Sequence, residues 1–277
     1  MHQEHSLSLL CRVMEVSRSG YYRWLGHEQG VRAQQNTRLD QRILETFAEN
    51  RQAYGSPRLT VELRAAGCPC SENRVARRMR GLKLAARQRR RFVPRTTLSD
   101  PDSPVAPNRK AEMPAPTRAN EIWVTDITYL PIMGGFVYLA AVMDLYSRRI
   151  IGWALAAHME RGLVVAALQQ AIGRRRPPKG CLHHSDRGSQ YASQDYRRLL
   201  HEHGLEASMS RAGNCYDNAA MESFWSSIKA EALSSTLDDE AATRLAVFDY
   251  IETFYNPKRR HSALGYQCPV DFEHQMN

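Results

Sequence analysis

The chain has 277 residues, which is enough for about two domains of ordinary size. Apolar residues make up 43% of it and charged residues 24%, a balance that excludes a wholly disordered chain. No run approaches the ~20 apolar residues of a membrane helix, and residues 1–8 lack a secretory signal pattern. We therefore expect a cytoplasmic protein with no membrane partner.

The net charge of +9 is distributed unevenly along the chain. Residues 1–118 hold 22 Lys and Arg against 11 Asp and Glu, a net charge of +11, whereas residues 119–277 carry a net charge of −2. A basic N-terminal part joined to a near-neutral C-terminal part favours a nucleic-acid-binding region linked to a second activity. The alternative, a basic surface that serves solubility, would be spread more evenly.

The six cysteines are scattered over the chain, so we expect reduced thiols and no disulfide scaffold. Neither Cys68-Pro69-Cys70 nor His183-His184 has a second ligand pair at zinc spacing. Because a structural zinc ion usually needs four ligands, we do not expect one here.

Helical patterns fill the first third of the chain. Residues 6–25 predict two short helices joined tightly at residues 14–16, with Ser17 as the N-cap of the second. This pattern fits a helix-turn-helix, and an ordinary helical hairpin remains open. We assign residues 1–35 to an N-terminal helix-turn-helix segment.

Residues 36–94 predict a basic helical DNA-binding domain. Ser71 is expected to cap a helix that places Val75 and Met79 on one apolar face and arginines on the rest. Acidic partners at four-residue spacing are nearly absent, so a groove of DNA is favoured over a merely solvated charged face. The arginines expected to contact DNA are Arg74, Arg77, Arg78, Arg89, Arg90 and Arg91.

A proline-rich stretch separates this region from an α/β domain. Residues 94–116 contain six of the thirteen prolines, so we predict an extended linker over residues 95–118. Residues 119–277 predict three strands followed by alternating helices and strands, then further helices. This order predicts a mixed sheet in which the first strand lies beside the fourth.

Three acidic residues stand out in that domain. Asp126 lies inside the first strand, Asp186 follows a short apolar strand, and Glu222 lies in the first turns of a helix. Each alone would be ordinary, but the predicted sheet order lets all three converge. Converging carboxylates with no histidine ligands around them favour hard cations such as Mg²⁺. Two Mg²⁺ ions in such a site can promote phosphoryl transfer.

Several segments carry a resemblance to a known family. Asp126, Asp186 and Glu222, with 35 residues between the last two, look like the DD(35)E triad of the retroviral-integrase-like superfamily. The segments that closely resemble bacterial insertion-sequence transposases of family three, in their orfB form, are HHSDRGSQY (183–191), NCYDNAAMESFWSSIKAE (214–231), FYNPKRRHSALGYQCPVDF (254–272), AYGSPRL (53–59) and VSRSGYYRWL (16–25). Only the linker lacks a counterpart.

The resemblance implies an RNase H-like integrase core preceded by helix-turn-helix elements. It implies Mg²⁺-dependent cleavage at the ends of an insertion sequence and strand transfer by the 3′-hydroxyl, with Mn²⁺ as a substitute ion. Asp126, Asp186 and Glu222 would be both the catalytic residues and the ligands of two ions.

The implied partners are the terminal inverted repeats and the target DNA, bound by at least a dimer at the bacterial nucleoid. An upstream first-frame protein would act fused to this chain or alongside it. Such a protein supplies a leucine zipper in this family, and this chain has no heptad run.

Further residues have expected supporting roles. Lys229, two helical turns after Glu222, is expected to contact a DNA phosphate, with a salt-bridged surface lysine as the alternative. Asn218 positions DNA or, as we prefer, caps the helix. His184 and Trp123 are expected to pack beside the acids. A second basic cluster expected on DNA comprises Lys258, Arg259 and Arg260.

Two other functions stay open at this point. An RNase H-like nuclease would cleave DNA without joining it, and a strand-transfer assay with pre-cleaved ends separates the two activities. A DNA-binding regulator of transposition with an inactive core is the non-enzymatic alternative, although such a core need not keep all three acids.

Overall fold

The computed structural model describes residues 6–26, 30–87, 106–211, 218–233 and 236–275. The N-terminal part is helical, with α1 (Leu7–Val13), α2 (Arg18–Leu25), α3 (Val31–Glu49), α4 (Ser56–Ala65) and α5 (Glu72–Gly81). A 3₁₀ turn (Arg109–Glu112) precedes the α/β part, which contains β1 (Ile122–Ile132), β2 (Gly135–Asp144), β3 (Ile150–Ala156), α6 (Arg161–Arg175), β4 (Leu182–Ser185), α7 (Ser189–Ala192), α8 (Gln194–Glu202) and β5 (Glu206–Met209). The chain continues through α9 (Ala219–Glu231), α10 (Glu240–Phe248), a π-helix (Asp249–Tyr255), a second 3₁₀ turn (Ser262–Leu264) and α11 (Pro269–Gln275).

The five strands form one mixed sheet in the order β3-β2-β1-β4-β5. β1 pairs with β2, and β2 with β3, in antiparallel fashion, whereas β1 with β4 and β4 with β5 are parallel. The predicted neighbourhood of the first and fourth strands is therefore confirmed. In the β1–β4 register Ile122 pairs with Leu182 and Val124 with His184, a constant offset of sixty positions.

Helices cover both faces of the sheet. One apolar cluster lies between the sheet and α6 and α8, and it includes Trp123, Leu168 and Leu200. At Gly152 the α6 backbone comes so close that a Cβ atom would lie 2.2 Å from the carbonyl oxygen of Ala167. Only glycine permits this approach.

The second apolar cluster joins the N-terminal helices to the α/β part. It combines residues of α3, α4 and α5 with residues of β1, α9 and the π-helix. Arg260 Nε donates to Glu62 Oε1 at 2.7 Å, and Arg51 donates to Asp249 Oδ2 at 2.7 Å. The apolar core of residues 31–87 is therefore continuous with that of the C-terminal helices.

Two predicted boundaries differ from the structure. The predicted division after residue 35 falls inside α3, which is one continuous helix from Val31 to Glu49. Residues 106–118 of the predicted linker include a 3₁₀ turn that contacts β5, since the Lys110 N–H donates to Ser208 Oγ at 3.3 Å and Arg109 pairs with Glu206. Residues 95–105 of that linker lie outside the described residues.

The N-terminal helical pair follows the capping pattern in the sequence. Ser6 caps α1, and Ser17 Oγ accepts a hydrogen bond from the Gly20 N–H at 3.0 Å at the start of α2. Across the described ranges, no helix is long and apolar enough to cross a membrane. The cysteines within these ranges are all free thiols.

A buried ion pair anchors the end of α9 to the C-terminal segment. The guanidinium of Arg259 donates to both carboxylate oxygens of Glu231, at 2.7 and 2.6 Å, and the Tyr250 hydroxyl donates to Glu231 Oε2 at 2.7 Å. Both charged side chains are about 5% exposed. Removing one partner would leave the other charge buried without compensation.

We expect Glu231→Gln to lower the free energy of unfolding by about 3–5 kcal/mol, because Arg259 would lose its counter-charge in a dry environment. Urea unfolding at pH 7 measures the loss. Glu240→Gln is the matched control, since its partner Arg244 is 48% exposed and such surface pairs contribute about 0.5 kcal/mol. Equal losses in the two variants would contradict the assigned role of the buried pair.

Candidate active site

Asp126 and Asp186 lie side by side at the point where β4 ends. Asp126 is in the middle of β1, and Asp186 is the first residue after β4. The β1–β4 register, continued by two residues, sets the two aspartates opposite each other. The Gly188 N–H donates to Asp186 Oδ1 at 3.0 Å, which holds that carboxylate at the start of the loop.

Helix α9 lies along β1 and is held there by three side chains on one helical face. Asn218 Nδ2 donates to the Thr125 carbonyl oxygen at 3.2 Å, and Trp225 Nε1 donates to Asp126 Oδ2 at 2.9 Å. One helical turn after Trp225, Lys229 Nζ donates to Thr128 Oγ1, on the β1 residue two positions after Asp126. These contacts fix the first turn of the helix beside the aspartates.

That first turn carries the exposed side chain of Glu222. Because Trp225 follows one turn later and touches Asp126 directly, Glu222 projects near the same point. The sequence therefore predicted correctly which elements would meet.

The electrostatics of Asp126 reflect this arrangement. The pKa of its carboxyl group is raised to about 7, chiefly by burial and then by the negative charges of Asp186 and Glu222, against the hydrogen bond from Trp225. Burial and the two aspartates likewise raise the pKa of the nearby Tyr191 hydroxyl. The carboxylates thus repel one another in the absence of a cation.

The donor chemistry of these residues suits a hard divalent cation. Carboxylate oxygens are the preferred protein ligands of Mg²⁺. No three His, Cys, Asp or Glu side chains within the described part of the chain already stand as a ligand set. Asp126 and Asp186 are the adjacent pair, and the exposed carboxylate of Glu222 is near enough to raise the pKa of Asp126.

The residues expected to support the acids are packed, as predicted. His184 is fully buried, and its ring nitrogens lie 2.9 Å from Ser208 Oγ and 3.0 Å from Ser210 Oγ. Trp123 is also buried, and its indole N–H donates to Asn120 Oδ1 at 3.2 Å. Both side chains therefore position β4 and β1.

Asn218 occupies the N-cap position of α9, but its side chain does not cap the helix. The amide instead bonds to β1, and within the described residues its buried Oδ1 has no hydrogen-bond partner. The preferred expectation of side-chain capping is therefore wrong, because the amide nitrogen is directed at the Thr125 carbonyl group.

The arginines of α5 divide into two groups. Arg74 donates to Asn36 Oδ1 on α3 at 2.9 Å, and Arg78 forms an ion pair with Asp40 on the same helix. Arg77 remains exposed to solvent. Sequence spacing could not show the α3 partners, because they are 38 positions away. Arg89, Arg90 and Arg91 lie outside the described residues.

The second basic cluster contributes less to a DNA surface than expected. Arg259 is 4% exposed and bound to Glu231, so the expected DNA contact is wrong for this side chain. Arg260 is half-buried and pairs with Glu62. Lys258 alone of the three is exposed.

The site residue that the sequence did not indicate is Trp225. Its indole N–H donates to Asp126, a contact that only the three-dimensional structure shows.

Comparison with known families gives three matches in chain order. An HTH-like domain family matches residues 34–92, and two integrase core domain families match overlapping stretches, residues 116–215 and 203–269. The 31 kDa protein of insertion element IS600 from Shigella sonnei is 44% identical over 271 residues, which cover 96% of this chain and 99% of that protein. Transposase InsF for insertion sequence IS3A from Escherichia coli K12 is 41% identical over 278 residues, covering 99% and 96%.

A solved structure shares the fold. The simian T-cell lymphotropic virus intasome in complex with PP2A regulatory subunit B56 gamma gives a TM-score of 0.50 at 14% identity, and the match covers 84% of this chain and 74% of that chain. The likeness confirms the predicted integrase-type core with its mixed sheet.

The raised pKa of Asp126 predicts a pH-dependent stability in the metal-free protein. The folded carboxyl group keeps its proton up to about pH 7, whereas the unfolded one loses it near 3.8. Its favourable contribution is complete below pH 3.8 and is lost as the pH rises to 7. Asp126→Asn cannot ionise and avoids this loss.

We therefore expect the melting temperature of Asp126→Asn to exceed that of the wild type by a margin that grows from pH 5 to pH 7 and is constant above it. Calorimetry with a chelator present measures the margin, at about 2–4 °C for each kcal/mol recovered. A margin that does not change with pH would contradict the carboxylate cluster.

Proposed function

The chain belongs to the IS3 family of insertion-sequence transposases, and we propose that Asp126, Asp186 and Glu222 are its catalytic residues and the ligands of two Mg²⁺ ions. The observation that carries the proposal is that Asp126 on β1 and Asp186 at the end of the neighbouring strand β4 lie opposite each other, with Glu222 nearby. Mn²⁺ is expected to replace Mg²⁺.

Two bound divalent cations would activate the attacking oxygen and stabilise the leaving oxygen of a phosphodiester. The protein supplies the geometry for this reaction. Asp126 and Asp186 present their oxygens from two adjacent strands, and α9 carries Glu222 to the same point. Because the pKa of Asp126 is about 7 without a cation, binding of the ions at neutral pH displaces a proton from this carboxyl group.

The attacking group is water in the cleavage step and the 3′-hydroxyl of the cleaved strand in the joining step. The in-line displacement needs no covalent bond between protein and DNA. Lys229 lies on α9 two turns from Glu222, and we propose that its ammonium group contacts a phosphate of the bound strand. Its present partners, Thr128 and the Tyr129 ring, keep it next to the site.

The DNA substrates proposed are the terminal inverted repeats of the element and a target duplex. The HTH-like region supports sequence recognition, and the exposed Arg77 and Arg80 of α5 are the available phosphate contacts among the described arginines of that helix. Joining two element ends in one reaction requires at least a dimer on DNA. A first-frame protein, fused or separate, remains part of the proposal.

Each of the substitutions Asp126→Asn, Asp186→Asn and Glu222→Gln should reduce strand transfer by about 10³-fold or more, because a lost ligand removes ion-dependent stabilisation of the transition state. Pre-cleaved element ends and a labelled target measure the joining step. DNA binding should persist in all three variants. Glu202→Gln on α8 is the control with an exposed carboxylate. Strand transfer at the wild-type rate in any triad variant would refute its assignment, and cleavage without joining by the wild type would support the nuclease alternative.

Substitution of Arg77 and Arg80 by Ala should weaken DNA binding and make it less dependent on salt. Each lost phosphate contact reduces the slope of log K against log salt by about 0.9. Fluorescence anisotropy between 50 and 200 mM salt measures this slope. Arg74→Ala is the control, since Arg74 is bonded to Asn36. Point variants are preferable to deletion of the helices, which would expose the shared core. An unchanged slope in the double variant would place the phosphate contacts elsewhere.

A further inference from the structure

An aromatic pair, formed by the half-buried Tyr129 and the exposed Phe136, lies on the β1–β2 hairpin, beyond the aspartates. The rings of Tyr129 and Phe136 meet edge to face, with centroids 5.4 Å apart and an interplanar angle of 86°. Phe136 is 54% exposed although it sits in a regular strand. The pair is therefore a fixed aromatic surface rather than part of either apolar cluster, and we call Tyr129 and Phe136 the hairpin aromatic pair.

Contacts of Lys229 join the hairpin aromatic pair to the proposed catalytic site. Tyr129 is three residues from Asp126 along β1, a distance of about 10 Å at 3.3–3.4 Å per residue. Lys229 Nζ lies 4.9 Å from the centroid of the Tyr129 ring and also donates to Thr128 Oγ1. The side chains of Asp126 and Tyr129 leave β1 on opposite faces, because the two residues are an odd number of positions apart. Lys229 contacts both Thr128, on the face of Asp126, and Tyr129, so its ammonium group connects the carboxylates to the aromatic rings.

This order of groups matches the chemistry of a nucleic-acid strand. The carboxylates suit ions that bind a phosphate, the ammonium group suits the next phosphates, and the rings offer apolar area to a base. A protein partner fits less well, because a charged lysine borders the rings and the catalytic edge adjoins them. A spacing of 10 Å equals about three base steps at 3.4 Å per strand residue.

We propose that the hairpin aromatic pair stacks on an unpaired base of the DNA strand bound at Asp126, within about three positions of the reacting phosphate. The proposal rests on the proposed function and adds a binding site for a nucleobase. Stacking would hold the end of the duplex open, so that the reacting phosphate can approach the carboxylates at the end of β4. The shape of the base would matter little, because every base offers a π-face.

The test is a double-perturbation cycle that combines Phe136→Ala with removal of single bases. The full chain is titrated, without divalent cation, with duplexes of the element end that carry an abasic site at one of four positions on either side of the reacting phosphate. On intact DNA, Phe136→Ala should weaken binding about tenfold. At one abasic position the same substitution should have no further effect, because its partner is already missing.

Two further variants make the outcome specific. Phe136→Tyr keeps a ring and should bind like the wild type. Phe248→Ala removes an equally exposed phenyl group (51%) from α10 and should not change binding. Melting temperatures confirm that the variants are folded.

Additive effects of Phe136→Ala and base removal at every position would overturn the proposal, as would an effect on oligomeric state with unchanged DNA affinity. Strand transfer by the wild type on the same DNA separates this result from the proposed function. If the wild type joins ends while the cycle is additive, only the aromatic site fails. If the wild type neither binds nor joins them, both fail.

Discussion

Repulsion between carboxylates at the edge of β1 is the constraint around which the active site is built. Asp126 carries a pKa of about 7 because it is buried beside Asp186 and near Glu222. A fold without a use for this cluster would gain stability by replacing one of the acids. The sheet keeps the two aspartates together through its register, and α9 keeps the glutamate near them through hydrogen bonds to β1. In the proposed function, bound cations compensate this unfavourable charge and thereby couple stability to catalysis.

The same helix links the site to the rest of the molecule. Its C-terminal end is anchored by the buried pair of Glu231 and Arg259, and Arg259 belongs to the segment that also supports the N-terminal helices. The helices expected to bind DNA therefore share one apolar core with β1 and α9, which carry the proposed catalytic residues Asp126 and Glu222. Because α5 packs on the same core as β1 and α9, the proposed DNA contacts of its exposed arginines have a defined orientation relative to the proposed active site.

Much of the fold was predictable because the strands and helices of the α/β part have clear patterns and short connections. The sheet order followed from the three consecutive strands, and Asp126 and Asp186 could be placed together from it. The internal partners of the arginines could not be predicted in this way. Arg78 pairs with Asp40 and Arg260 with Glu62, and these pairs join residues 38 and 198 positions apart. The excess of +11 in residues 1–118 thus overstates the charge available to DNA. Trp225 was missed for a related reason, since a tryptophan on an apolar helical face gives no sign of where its N–H points.

The most direct measurement is anomalous X-ray scattering from Mn²⁺ in crystals of the full chain bound to a duplex of the element end. The account predicts anomalous peaks about 2.0–2.2 Å from carboxylate oxygens of Asp126 and Asp186, with Glu222 brought into the same ligand set. Two peaks roughly 3.5–4 Å apart would indicate the two-ion site. Ordered DNA at this edge with no peak between the two aspartates, or with peaks only at other carboxylates, would contradict it.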